Sequence, residues 1–245
     1  MALKDRVALG MSLPHRSADP IPATVVRQVA VRAEALGFQD LWVANNTLDE
    51  AESFDSLTTL TYAAAVTTTI RLGVSVLVLP IYHPVHVAHQ VATLDRLSGG
   101  RVILGVGIGT ADDYAPFHVP TACRVRRFLE SVGLIKALWA DPHTTFSGDI
   151  FRVHEVTLGT RPTQQPHPPI WMGGAHPDAI RRAAVRRLDG GRRVEQCILR
   201  AGRPAAARGT PARRPRPSHI PDLQKDLHIR AREPGGRQSR GPPLV

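Results

Sequence analysis

From Ile70 to Leu79 the chain reads IRLGVSVLVL, an apolar, β-branched run of the kind that forms a strand buried on both faces of a parallel sheet. Pro80 ends it. Pro84 stands where a helix tolerates proline best, in the first turn, where an amide donor would have no intrahelical acceptor. Val87, Ala88, Val91 and Leu94 then recur at helical spacing and predict a helix with one apolar face. Ser98-Gly99-Gly100 stops that helix, and Arg101 to Val106 predicts a further buried strand. A strand, a crossover helix and a strand make a βαβ unit, which implies a parallel sheet covered by helices.

The same alternation extends in both directions. Val7 to Gly10 predicts a first strand; Val25, Val29, Ala33 and Leu36 predict a first helix, stopped by Gly37. Leu41 to Val43 predicts a second strand ending at Ala44-Asn45-Asn46, and Leu57, Leu60 and Ala64 mark a second helix. Beyond Val106 the rhythm breaks. Residues 110–120 read as a polar loop, Val125 to Trp139 as a helix, and Thr144 to Leu158 as a hairpin about Ser147-Gly148-Asp149. A proline-rich stretch, Arg161 to Pro169, leads to a fifth strand at Ile170 to Met172. Gly173-Gly174-Ala175 follows, and then a helix from Asp178 to Leu188.

Composition changes this picture in one place. Two cysteines, Cys123 and Cys197, make neither a disulfide framework nor a metal cluster, which points to a reducing cytoplasm. The N-terminus shows no leader pattern, and Leu72 to Tyr82 is too short to cross a bilayer. The formal net charge is +10. Residues 1–190 hold 18 basic and 17 acidic residues; residues 191–245 hold 13 and 4, together with 8 of the 21 prolines. Three readings compete for this tail: a nucleic-acid-binding arm, a plain disordered tail, or a change of reading frame near residues 188–191. It has no Phe, Tyr or Trp from Gly191 onward, so base stacking is not available to it. Patternless Arg, Pro, Gly and Ala favour the frame change.

Candidate chemistry starts with glycine. Gly105, Gly107 and Gly109 alternate as the predicted fourth strand runs out. The spacing is not that of a dinucleotide fingerprint, and no helix opens directly after it. Two readings stay open: tight packing of a strand end, or close approach of a ligand to bare backbone. His83, His86 and His89 are spaced three apart, yet no fourth ligand or acidic partner supports a metal site.

Three segments resemble the bacterial luciferase-like flavin and deazaflavin oxidoreductases, a TIM-barrel superfamily. They are AEALGFQDLWVANN (33–46), the whole stretch 70–109, and PPIWMGGAHPDAIRRAA (168–184). LIKALWAD and the hairpin FSGDIFRVHEVTL also fit the insertion that this family carries between strands four and five. The resemblance covers about residues 3–190. It implies an α/β chain built as a (β/α)₈-type barrel over 1–190 with the insertion at 110–169, followed by an irregular tail over 191–245. Five βα units are counted where closure needs eight strands, so an incomplete barrel is expected.

The nearest look-alikes use the deazaflavin F420. The resemblance implies hydride transfer between F420 and a small organic substrate, or monooxygenation with reduced flavin mononucleotide (FMN); a catalytically silent barrel is the alternative from another class. It further implies a non-proline cis peptide at Ser75-Val76, against which the cofactor ring rests. The cofactor phosphate would meet Gly107 and Thr110 on one side and Gly173, Gly174 and Ala175 on the other, and a helix N-terminus there suits an anion. The family often ends its second strand in Ala-Asp-His; here Asn45 would contact the cofactor and Asn46 would position substrate or ring. Asparagine cannot serve as a general acid near neutral pH. Dimerisation is implied by the resemblance alone.

Overall fold

The computed structural model describes residues 8–173 and the backbone of 186–187. Six short strands make one parallel sheet in the order β1 (Gly10–Ser12), β3 (Asp40–Val43), β5 (Arg71–Val74), β7 (Val102–Gly107), β10 (Ile170–Met172) and β11 (Arg186–Arg187). A short strand, β6 (Leu77–Val78), also pairs with β7. Helices α1 (Ala23–Ala35), α2 (Ser56–Val66) and α3 (Pro84–Ser98) are the crossovers. The excursion before β10 holds α4 (Arg124–Ala140) and an antiparallel hairpin of β8 (Thr144–Ser147) and β9 (Arg152–Val156). A small antiparallel pair, β2 (Arg16–Ser17) with β4 (Glu52–Ser53), lies outside the main sheet.

Alternation along each strand sorts the residues into two sets. Leu41, Val43, Leu72, Val74, Val102, Leu104, Val106, Ile170 and Met172 join the helices in one core cluster. The opposite face carries Trp42, Gly73, Ile103, Gly105 and Trp171, with Trp42 in register with Gly73 and Trp171 with Gly105. The Trp42 indole lies across two glycines: a Cβ on Gly10 would stand 2.4 Å from it and one on Gly73 2.2 Å. The rings of Trp42 and Trp171 stand 5.5 Å apart. Small residues on β1 and β5 thus make room for the large Trp42.

Loops are tied down by carboxylates that accept several amides each. Glu34 at the end of α1 accepts from the backbone N–H groups of Thr68, Thr69 and Ile70, just before β5. Burial opposes its ionisation, but the amides of Thr69, Ile70 and Thr68 and the Thr69 hydroxyl outweigh it and hold its pKa at about 2. Asp95, fully buried on α3, accepts from the amides of Thr163 and Gln164 and so fastens the approach to β10. Glu130 on α4 accepts from the amides of Asp149, Ile150 and Phe151 at the hairpin turn.

Several expectations need correction. The first strand lies at Gly10–Ser12 rather than Val7–Gly10. The long third strand is two, β5 and β6, followed by a 3₁₀ turn over Leu79–Ile81. Five strands become six, because Arg186–Arg187, expected at the end of a helix, pair in parallel with β10. The rest of that helix and the tail lie outside the described residues.

Candidate functional site

All strands of the main sheet run parallel, so their C-terminal ends gather the chain segments where barrels of this kind place chemistry. Three of these segments line a cleft of about 120 Å³: Asn45 to Leu48 after β3, Val78 and Ile81 around β6, and Asp112, Asp113, Pro116 and Phe117 after β7. That is below the ~300–1,000 Å³ of a complete small-molecule site. The cleft by itself is too small to enclose such a ligand.

Asn45 and Asn46 behave differently. Asn45 Oδ1 accepts from the Val78 N–H and the Tyr82 hydroxyl, both at 3.2 Å, and its Nδ2 donates to Thr47 Oγ1 at 3.0 Å. The Thr47 hydroxyl lies 3.3 Å from the Tyr82 hydroxyl. With Tyr82 already donating to Asn45, the Thr47 proton closes a ring of three hydrogen bonds. Asn45 thus pins the end of β3 to β6. Asn46 makes no hydrogen bond among the described residues and lines the cleft with its carboxamide free.

His15 supports the same end from below. Its Nε2 accepts from the Ala44 N–H at 3.2 Å, which places its proton on Nδ1, where the Leu13 carbonyl accepts it at 2.7 Å. This fixes the chain one residue before Asn45.

The peptide bond between Ser75 and Val76 is cis. Ser75 is exposed, and its amide donates to the Val43 carbonyl at 2.9 Å. The Val76 side chain lies between two strand ends: a Cβ on Gly107 would meet its Cγ2 at 2.6 Å, and one on Gly173 its Cγ1 at 2.8 Å. Val76 therefore leaves no room for a Cβ at either glycine. Gly109 has φ +73°, and a Cβ there would meet Val78 at 2.5 Å.

Thr110 also has an internal partner. Its N–H and its hydroxyl both donate to Asp113 Oδ2, at 2.6 and 3.0 Å. A carboxylate of the chain thus occupies the donors that the resemblance assigns to a phosphate. Gly174 and Ala175 lie outside the described residues, while Gly173 donates its N–H to the Val106 carbonyl at the end of β7. A cofactor's ring side would meet the unpartnered amide of Asn46, which lines the cleft, and Ser75, which is exposed at the cis peptide. The phosphate side does not find free donors at Thr110.

Asp113, His15 and Tyr82 were not foreseen. Thr110-Ala111-Asp112-Asp113 has the spacing of a capping box, a signal that could have found Asp113. His15 and Tyr82 act on partners 29 and 37 residues away, and no local pattern shows that. Of the three spaced histidines, His83 and His86 lie together, with ring centroids 6.0 Å apart.

Residues 7–190 match the family described as luciferase-like monooxygenase. An F420-dependent glucose-6-phosphate dehydrogenase from Kineococcus radiotolerans is 32% identical over 175 residues, 68% of this chain and 51% of that protein. Among solved structures, the monooxygenase RslO1 from Streptomyces bottropensis superposes with a TM-score of 0.63 at 28% identity. That match covers 69% of this chain and 54% of the other. An F420-dependent secondary alcohol dehydrogenase, solved with an F420-acetone adduct, gives 0.60 at 26% identity, covering 71% and 54%. The chain spans about half the length of the relatives it matches.

Proposed function

Since the chain belongs to the luciferase-like monooxygenase family, we propose that it is an oxidoreductase that binds F420 at the C-terminal ends of β3, β6, β7 and β10 and acts on a small organic substrate. The observation that carries this reading is the placement of one unengaged amide, Asn46, on the wall of a cleft formed by three strand ends. Two relatives that use F420 by name, one 32% identical and one of known structure, support the choice of cofactor.

When bound, F420 supplies a hydride donor or acceptor at its C5, and the protein supplies binding and orientation. Asn46 offers one donor pair and one acceptor to a ring edge or a substrate oxygen. It holds no titratable proton, so proton movement at this point falls to another group. Asn45, locked by Val78, Tyr82 and Thr47, keeps the β3 end in place. Val78, Ile81 and Phe117 provide the apolar lining of the cleft. A second reading is monooxygenation, supported by the likeness to the monooxygenase RslO1, with reduced FMN as its cofactor.

Fluorescence titration of the chain with F420, and separately with FMN, decides between them. The first reading expects saturable F420 binding in about the micromolar range, at least tenfold tighter than FMN and weakened in Asn46→Ala. Preference for FMN would select the second reading, and saturable binding of neither would remove both.

A further inference from the structure

At the N-termini of α3 and α4 three cationic or basic side chains converge with no acid among them. Arg127 Nε donates to the Pro80 carbonyl at 2.8 Å, and its guanidinium carbon stands 4.9 Å from the centre of the Phe151 ring. His83 meets the same ring edge-on at 5.6 Å, and His86 lies 6.0 Å from His83. His83 Nδ1 accepts from the Val85 N–H at 3.4 Å, which leaves the Nε2 side of the ring as a donor.

Asp149, Glu130 and Asp113, the acids on the neighbouring segments, are already engaged. Arg126, also on α4, pairs with Asp149 of the hairpin at 2.6 Å. Glu130 is taken up by three hairpin amides. Asp113 is held by Thr110. Arg124 and Arg127 both act on Tyr114, whose hydroxyl donates to the Ile108 carbonyl just past β7, so the cluster adjoins the same end of the sheet as the cleft. Among the described residues Arg127 has no ion-pair partner. Burial, then His86, then Arg127 push the His83 pKa down. A partly buried guanidinium beside two imidazole N–H donors at the head of a 15-residue helix is positive charge without a counter-ion.

We propose that His83, His86 and Arg127 form a binding site for a phosphoryl group. Arg127 keeps two terminal nitrogens free for a forked contact with two phosphoryl oxygens. His83 and His86 each add an N–H, and the α3 N-terminus adds its partial positive charge. The site uses residues other than Thr110, whose donors are satisfied, and it stands whether or not the chain uses F420.

The test is a residue-resolved NMR titration of the full chain with inorganic pyrophosphate near pH 6.5. The His83 and His86 ring signals and the Arg127 Nε signal should move along one saturating curve while the Thr110 amide stays still. This readout separates the site from non-specific attraction to the basic residues 191–245. Arg127→Gln should weaken that curve about tenfold, and Arg126→Gln, which removes an already paired charge, should leave it within about twofold. Still His83 and His86 signals at saturating pyrophosphate would overturn the proposal, and so would an Arg127→Gln curve equal to the original. If Arg127→Gln does not fold, the unsubstituted chain decides alone: ring signals that move support the site, and ring signals that do not move remove it.

Discussion

Val76 fills the space that Gly107 and Gly173 leave bare, with Cβ clearances of only 2.6 and 2.8 Å. Gly107→Ala should therefore destabilise the fold by about 1–3 kcal/mol, the usual cost of overpacking. Val76→Ala in the same chain should recover most of that loss, and a double-mutant cycle read by denaturant melts checks the coupling. The two asparagines separate by the same logic. Asn45→Ala leaves the Val78 N–H and the Tyr82 hydroxyl without their acceptor and should cost about 1–3 kcal/mol. Asn46→Ala breaks no internal bond and should stay within about 0.5 kcal/mol in thermal melts, with its loss showing only in ligand affinity. Both asparagines were legible as a departure from the Ala-Asp-His pattern. Their opposite roles were not, because the partners of Asn45 lie 33 and 37 residues further along the chain.

Elements are joined here by carboxylates on helices, and that has a pH signature. The folded pKa of Glu34, about 2, lies below the ~4.3 of an unfolded chain. Its contribution is therefore complete above pH ~5 and is lost as pH falls toward 2. Glu34→Ala should cost about 2 kcal/mol at pH 7, and the gap to the unsubstituted protein should close as melts are taken down to pH 2. His83 works in the opposite chemical sense with the same sign. Its depressed folded pKa keeps it neutral, so the stability it gives is complete above the unfolded value near 6.5 and falls as pH drops below it. Helices α1 to α4 could be read from apolar spacing and their stops because such signals are local; Gly37 and Gly99 do take left-handed φ of +80° and +71°. The β2–β4 pair and the split of β5 from β6 could not, since each depends on contacts across loops.

At the scale of the whole molecule, the parallel sheet and its helices form a luciferase-like fold. Order of elements was readable because each βα unit repeats one apolar rhythm. The sixth strand was missed because Arg186–Arg187 carry no apolar signal and are strand only by pairing with β10. No helix among the described residues is long and apolar enough to cross a membrane. Under the proposed function, F420 sits against the ends of β3, β6, β7 and β10. Mapping amide shifts of the full chain as F420 is added tests it most directly. Shifts concentrated at residues 45–47, 75–78, 107–109 and 173 are predicted; saturating shifts gathered elsewhere, or none at all, would contradict the account.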